Sequence, residues 1–365
     1  MTDATYRDKP GLSGVLTTER MKRKLRVGVI GCGNIAYWVH LPALARMRGV
    51  ELVAAADSDP RARDNAARLV KRPVFQRSED LFARDDIDAV VICAPTGLHH
   101  DLALAACAAR KHFYLEKPLA TDADSGRRVL EASAGAGLVT MMGFNRRRHP
   151  AIEQARAILA EGRLGKVHMV QTVLCDPPAS GGTSEWKKHR SSGGGVLLDL
   201  ASHHLDLLRF LLDDEFSQVE ARIVSEASES DSAWLRMTMV RGTEVQSFFS
   251  CRSGLADSIQ LLGECGTLTV DRFRSAVELR IPRRLGYGLR SKRSFPRVAS
   301  LGWRLSKLRR PSYDPSYQRA LDTFVALTNG HRRDAPTLED GMRSLEAVLA
   351  AEKSARFGRP VFMDE

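Results

Sequence analysis

The sequence predicts a Rossmann-type, doubly wound α/β parallel sheet followed by an α+β domain with an open, mostly antiparallel sheet. Three observations predict this fold class. Apolar runs of strand length alternate with helical patterns over the first 145 residues, as is typical of parallel sheets. Beyond residue 165, strand patterns follow one another with turn residues between them. Finally, 365 residues exceed what one hydrophobic core usually holds.

Strands and helices alternate in the first part of the chain. A continuous apolar run that ends in glycines predicts a buried strand leading into a turn. The predicted strands are Leu25–Ile30, Glu51–Ala56, Ala89–Ala94 and His112–Leu115. The predicted helices are Ile35–Arg46 (interrupted by Pro42), Pro60–Leu69 and Asp101–Ala109.

The second part shows strand patterns separated by short turns, which predicts a mostly antiparallel sheet. Its predicted strands are Val167–Leu174, Val219–Val224, Ala233–Val240, Glu244–Cys251, Ile259–Leu262 and Thr267–Val270. Its predicted helices are Asp199–Leu212, Tyr317–Thr328 and Leu338–Arg356. We therefore expect a flexible extension at 1–24, one domain at 25–145 and a second at 146–365.

Composition narrows the class of protein. No apolar run approaches the roughly 18 to 20 residues that span a bilayer, and residues 1–24 lack a signal-peptide pattern. The six cysteines form no CxxC pair and no metal-ligand spacing. We therefore expect a reduced, cytoplasmic protein without a bound metal.

The turn after the first strand has the form GxGxxA, from Gly31 to Ala36. Gly31 allows a tight turn, and Gly33 lets the backbone approach a pyrophosphate. The backbone N–H groups at the start of the next helix, from Asn34 and Ile35, face the phosphates. The turn therefore predicts a dinucleotide site.

An acidic residue follows at the position that such a site needs. Asp57 ends the next strand, 21 residues beyond Ala36. A carboxylate there binds the adenosine ribose hydroxyls and repels a 2′-phosphate. This predicts NAD as the cofactor, with NADP as the alternative because Arg61 and Arg63 lie close in sequence.

Two later strands end in polar residues at the same edge of the sheet, where ligands bind in open parallel sheets. Thr96 and His99 follow the third strand and are expected to line the cofactor cleft, although Thr96 could instead cap a helix. The tripeptide Glu116–Pro118 follows the next strand. Glu116 is expected to contact the cofactor. The ammonium of Lys117 can hold a substrate hydroxyl and tune a nearby base.

Three glycines, Gly193–Gly195, precede a helix on which Asp199 and His203 lie four residues apart. This spacing makes them neighbours on one helical face. An imidazole suits proton transfer near neutral pH, and a carboxylate beside it can orient it or bind the substrate. Without other motifs, the same pair would indicate a capping aspartate and a half-buried histidine.

Taken together, these motifs resemble the glucose–fructose oxidoreductase, inositol dehydrogenase and rhizopine-catabolism family (Gfo/Idh/MocA). The resemblance runs from about Leu25 to Val361 and so covers nearly all of the chain. It rests on GxGxxA at 31–36, EKP at 116–118, GFNRR at 143–147, GGGxLxD at 193–199 with His203, the Gly263/Gly266 turn, and GRPV at 358–361.

The resemblance implies that Lys117, Asp199 and His203 are the catalytic residues. It also implies hydride transfer between NAD(H) and a sugar or polyol carbon, with His203 accepting or donating the proton. The domain at 25–145 would then bind NAD(P), and the domain at 146–365 would bind substrate and form a homodimer or homotetramer through its open sheet.

Two positions depart from the family pattern. Ala201 replaces the usual glycine between the aspartate and the histidine, which narrows the pocket without removing a catalytic group. Arg148 replaces an aromatic residue, so three arginines stand in a row. We expect Arg146 or Arg147 to face the substrate, together with Trp186, and at least one of the three arginines to be solvated.

The charge of the chain is concentrated in one basic insertion at 280–314. The formal net charge of the whole chain is +11. Eleven Lys or Arg residues and no acidic ones lie in the stretch from Arg280 to Arg310. Val298, Leu301, Leu305 and Leu308 repeat at helical spacing, which fits peripheral contact with a membrane. The segment could also cover the active site and grip an anionic sugar, or pack on a partner subunit. No nucleic-acid-binding module accompanies it.

The sequence thus favours an NAD(H)-dependent oxidoreductase of a sugar, polyol or nucleotide sugar; the arginines fit the last somewhat better. An NADP-dependent sugar reductase would use the same residues, and some relatives cleave glycosidic bonds through transient oxidation. A third alternative is a non-catalytic, NAD-binding sensor of the same fold. The intact set of Lys117, Asp199 and His203 argues against a sensor.

Overall fold

A computed structural model describes residues 23–177, 184–282, 289–294 and 314–364, with 289–294 described by backbone alone. Two sheets organise these residues: one of six parallel strands, and one of nine strands that are mostly antiparallel. The predicted fold class is confirmed.

The first sheet contains β1 (Leu25–Ile30), β2 (Val50–Ala56), β3 (Val74–Phe75), β4 (Ala89–Ile92), β5 (His112–Leu115) and β6 (Thr140–Met142). The second contains β7 (Val167–Cys175), β8 (Phe216–Val224), β9 (Ser232–Met239), β10 (Glu244–Ser250), β11 (Ala256–Gly263), β12 (Gly266–Asp271), β13 (Ala276–Pro282), β14 (Leu289–Ser294) and β15 (Val361–Phe362). The α-helices are α1 (Leu41–Arg46), α2 (Pro60–Val70), α3 (Glu79–Phe82), α4 (His99–Ala108), α5 (Ala123–Ser133), α6 (Pro150–Ala160), α7 (Ser202–Leu212), α8 (Pro315–Thr328) and α9 (Leu338–Phe357).

The first sheet has the strand order β3-β2-β1-β4-β5-β6. Every residue of β4 is buried, as expected when helices cover both faces of a parallel sheet. The strand order reverses between β1 and β4, which leaves a crevice at their carboxyl ends. The sequence patterns missed β3 and β6 because strands of two or three residues are too short to show a period.

The second sheet has the order β14-β13-β12-β11-β7-β10-β9-β8-β15. Its one parallel pair among the described strands joins β7 to β10. One face packs beneath α6 and α9. The other face holds a groove that includes Trp234, which is 46% exposed.

Two strands differ from the sequence prediction around the basic insertion. Residues 276–282 and 289–294 form an antiparallel pair at the edge of the second sheet, whereas the last predicted strand ended at Val270. The predicted helical pattern from Val298 to Leu308 and the extension at 1–22 lie outside the described residues. In the part of the chain that is described, no helix is long and apolar enough to cross a membrane.

Helix α8 comes late in the chain, yet it packs on the core of the first sheet. Leu321 and Phe324 are buried with residues of β1 and β4, and the rings of Phe324 and Tyr114 lie 6.0 Å apart. Part of the segment at 146–365 therefore completes the core of the segment at 25–145.

Arg147 lies in a buried ion-pair network instead of facing a substrate pocket. Its guanidinium donates to both carboxylate oxygens of Asp206 on α7, at 2.9 and 2.5 Å. It also donates to Asp340 on α9, at 3.1 Å. All three guanidinium nitrogens of Arg147 are therefore used between helices, and none of them is left for the predicted substrate contact.

We expect Arg147→Met to lower the free energy of unfolding by about 3–5 kcal/mol, because Asp206 would remain buried without its partner. The matched control is Arg156→Met. Both guanidinium groups lie over the ring of Phe210, but the side chain of Arg156 is 41% exposed and pairs with the exposed Asp334. Its replacement should therefore lower the free energy of unfolding by less than about 1 kcal/mol. Urea unfolding measures the stability of both variants. Equal losses of stability would contradict a structural role for the buried Arg147 network.

Candidate active site

The glycine turn after β1 has the shape that a pyrophosphate requires. Gly31 has φ +87°, and a Cβ at this position would lie 2.7 Å from the backbone nitrogen of Ala94, so only glycine fits. A Cβ on Gly33, in contrast, would meet no atom within 4 Å. The space beside Gly33 is therefore open on the side where Asn34 and Ile35 begin the next helix.

Asp57 is held against this turn. Its carboxylate accepts the backbone N–H of Cys32 at 2.6 Å and that of Asp59 at 2.8 Å. Arg63 donates to the backbone carbonyl oxygens of Asp57 and Ser58, so its guanidinium caps the end of β2. These groups fit a dinucleotide, which when bound supplies the hydride acceptor or donor.

Glu116 lies at the carboxyl end of β5 and forms a buried pair with His40. The His40 Nε2 and Glu116 Oε1 atoms are 2.7 Å apart, and His40 is fully buried. A Cβ on Gly143 would lie 2.9 Å from the Cα of Glu116, so this glycine permits their close approach. Sequence reasoning missed His40, whose only signal is its place on the helix after the glycine turn.

Thr96 and His99 serve the packing around the cleft. Both are buried. The His99 ring nitrogens lie 2.6 Å from the carbonyl oxygen of Pro118 and 2.9 Å from that of Ala94. Thr96 packs so closely on Gly193 that a Cβ there would overlap it. His99 thus links the end of β4 to the loop that carries Lys117.

Lys117, from the first half of the chain, forms an ion pair with Asp199 from the second half. Its ammonium donates to the carboxylate oxygen Oδ1 at 2.9 Å and to the backbone carbonyl oxygen of Asp199 at 2.6 Å. Lys187 donates to the other carboxylate oxygen at 2.7 Å. Although burial opposes ionisation, the two ammonium groups hold the pKa of Asp199 far below its usual range.

Asp199 and His203 are not arranged as an ideal helix would place them. Residues 197–201 form a π-helical turn, and the α-helix begins at Ser202. Within the described residues no hydrogen bond joins Asp199 to His203. Of the two roles predicted for this carboxylate, orienting the imidazole or binding the substrate, the first has no supporting hydrogen bond, because the carboxylate is turned to Lys117 and Lys187. π-Turns occur often at functional sites.

His203 is only 6% exposed, and its Nδ1 atom has no hydrogen-bond partner. Burial holds the pKa of its imidazole well below the usual range, and the nearby positive charges of Arg146 and Lys117 lower it further. The ring is therefore neutral at neutral pH and ready to accept a proton.

Arg146 lies beside this imidazole. Its guanidinium is 3.0 Å from a carboxylate oxygen of Asp257, which also contacts His204 and Arg272. Arg148 is partly buried near Glu153. None of the three consecutive arginines is fully solvated, contrary to expectation: their side chains are 11%, 8% and 19% exposed.

Trp186 stands on the turn that brings Lys187 to Asp199. The Lys187 Nζ atom lies 5.5 Å from the centre of the Trp186 ring. Sequence reasoning selected Trp186 but missed Lys187, because a lysine in a loop carries no periodic or spacing signal.

Comparisons with known proteins agree with this geometry. Residues 25–144 match the model of an oxidoreductase family with an NAD-binding Rossmann fold, and residues 152–269 match the GFO/IDH/MocA C-terminal domain. The chain belongs to the Gfo/Idh/MocA oxidoreductase family. The predicted resemblance is confirmed.

Several relatives within the Gfo/Idh/MocA family match most of the chain. Inositol 2-dehydrogenase of Rhizobium meliloti (strain 1021) is 29% identical over 92% of this chain and 98% of its own. The dTDP-3,4-didehydro-2,6-dideoxy-alpha-D-glucose 3-reductase of Actinomadura kijaniata is 30% identical over 68% and 75%. The structure of WlbA dehydrogenase from Bordetella pertussis with NADH and UDP-GlcNAcA covers 93% and 98% at 25% identity, with a TM-score of 0.78.

The two glycines of the turn should separate folding from cofactor binding in this Gfo/Idh/MocA protein. Gly31→Ala should lower the free energy of unfolding by about 1–3 kcal/mol, because the residue has positive φ and no room. Gly33→Ala should leave stability within about 0.5 kcal/mol but weaken NADH binding about tenfold or more, because its methyl enters the phosphate space. Urea unfolding measures the stability of each variant, and fluorescence titration measures its affinity for NADH. If both variants lost stability and affinity to the same extent, the separate roles of Gly31 and Gly33 would be refuted.

The imidazole of His203 should titrate below the ordinary histidine value of 6.5. In NMR spectra of protein with 13C-labelled histidine, the His203 resonance, assigned with His203→Asn, should keep its neutral position at pH values where an ordinary histidine is already protonated. Arg146→Met removes a positive charge and should raise the titration midpoint. A wild-type midpoint at or above 6.5 would overturn this description.

Proposed function

We propose that the protein transfers hydride between NAD(H) and a CH–OH carbon of a sugar, polyol or nucleotide sugar. The observation on which this rests is the ion pair of Lys117 with Asp199, which precedes the buried His203 in the chain. Lys117 lies at the same carboxyl edge of the parallel sheet as the glycine turn. Two relatives, an inositol dehydrogenase and a deoxysugar reductase, support the same substrate class.

Each residue of the site has a role in this reaction. His203 takes the proton of the substrate hydroxyl during oxidation and returns it during reduction. Lys117 donates an N–H to the substrate oxygen and stabilises the negative charge that develops there. Asp199 holds the ammonium of Lys117 in place. Gly31, Gly33, Asn34, Ile35, Asp57 and Glu116 are the proposed cofactor-binding residues, with Thr96 and His99 packed beside them.

NAD fits the site better than NADP. Asp57 presents a carboxylate where a 2′-phosphate would approach, and repulsion disfavours that phosphate. Arg63, which could have offset this repulsion, is occupied by two backbone carbonyl oxygens. The side chain of Arg61 is exposed, and among the described residues no hydrogen bond holds its guanidinium as the two carbonyl oxygens hold that of Arg63.

Arg146 and Trp186 are the proposed substrate contacts. Arg146 is buried near enough to His203 to lower the pKa of its imidazole, and its Nη1 atom makes an ion pair with Asp257 but no hydrogen bond. A guanidinium recognises anionic or polyhydroxylated groups well. The UDP-GlcNAcA bound in the Bordetella pertussis structure supports a nucleotide sugar as one member of the substrate class.

The purified protein should reduce NAD at 340 nm with at least one member of a panel of polyols, aldoses and nucleotide sugars, and should use NAD better than NADP. Lys117→Ala and His203→Ala should each lower kcat by about 100-fold or more, because each removes a group used in proton transfer. Tight NADH binding without turnover of any panel member would instead favour the sensor.

We also propose that the protein is a homodimer or homotetramer joined through the open face of the second sheet. The rings of the exposed Trp234 and the half-buried Phe248 lie there 5.0 Å apart, and an exposed apolar patch on a sheet face is typical of subunit contacts.

A further inference from the structure

We propose that Lys187 is a positioning residue of the active site, which holds one oxygen of Asp199 so that Lys117 keeps a free N–H for the substrate. This rests on the function proposed above. Lys187 belongs to none of the motifs that identify the dinucleotide site or the Lys117, Asp199 and His203 set.

The donors and acceptors around Asp199 can be counted. An ammonium group has three N–H donors. Lys117 uses one on the Oδ1 atom of Asp199 and one on its backbone carbonyl oxygen, so one N–H is left. The ammonium of Lys187 donates to the Oδ2 atom of Asp199 at 2.7 Å. Without Lys187, that oxygen would be free to rotate onto the last N–H of Lys117 and compete with the substrate.

The backbone fixes Lys187 in this place. Its carbonyl oxygen accepts the N–H of Gly195 at 3.2 Å, and the carbonyl oxygen of Gly195 accepts the N–H of Asp199 at 3.0 Å. A Cβ on Gly194 would overlap the carbonyl oxygen of Lys187. The glycine triplet therefore connects the lysine to the aspartate that it binds, through two successive backbone hydrogen bonds.

The charges agree with a positioning role. Two ammonium groups face one carboxylate, so the cluster retains one excess positive charge beside the reacting oxygen. Asp199 in turn raises the pKa of Lys187, so Lys187 stays protonated. Its neighbour Lys188 differs: its side chain is 42% exposed and pairs with the exposed Glu185 on the same turn. Lys188 is therefore a matched control.

Lys187→Met should lower kcat/KM for the sugar between about tenfold and a hundredfold, because the groups that hold the substrate are misplaced. Most of the loss should fall on kcat. The dissociation constant of NADH and the urea-unfolding midpoint should match those of wild type. Lys187→Arg should restore part of the activity, because a guanidinium can also donate to Oδ2. Lys188→Met should behave as wild type.

A second measurement does not depend on turnover. With 13C-labelled aspartate, the carboxyl resonance of Asp199, assigned with Asp199→Asn, should keep its ionised position to lower pH in wild type and Lys188→Met than in Lys187→Met. The midpoint should rise in Lys187→Met because this variant lacks one cation. An unmoved midpoint, or a kcat/KM of Lys187→Met within twofold of wild type, overturns the proposal. If wild type oxidises no sugar but the midpoint moves, the proposed function fails while the contact stands.

Discussion

The carboxylate of Asp199 is the point on which the site depends. It receives one ammonium from the loop after β5 of the parallel sheet and a second from the turn that precedes the glycine triplet. The crevice of a doubly wound sheet provides a place for a dinucleotide, and Lys117 lies at the same edge of that sheet. The ion pair of Lys117 with Asp199 joins this edge to the turn that leads into the helix carrying His203.

Two π-helical turns bring functional side chains to the cleft. One spans Ala36–His40 and ends at the histidine that binds Glu116; the other spans Leu197–Ala201 and contains Asp199. A π-turn adds a residue to the helical ring and rotates the side chains that follow. In both cases a polar residue of the turn, His40 or Asp199, pairs with a residue at the carboxyl end of β5.

Most of the fold could be predicted from the sequence, and part of the site could as well. Long apolar runs such as β1 and the glycine turn have strong periodic or spacing signals, so they were placed correctly. The partners of the arginines and of Asp199 could not be predicted, because they lie far away in the chain: Arg147 pairs with Asp340, and Asp199 with Lys117. The one-residue offset of a π-turn has no sequence signal, so the helical spacing of Asp199 and His203 could not indicate that the carboxylate turns to the lysines.

The late return of α8 to the first sheet determines how this protein can be synthesised. Tyr114 lies on β5, next to the edge strand β6, with no exposed surface, and Phe324 forms part of its cover. During translation, Tyr114 leaves the ribosome long before Phe324 has been made. The part of the N-terminal sheet that α8 covers therefore stays exposed until the chain is almost complete. During this period, association with other nascent chains competes with folding.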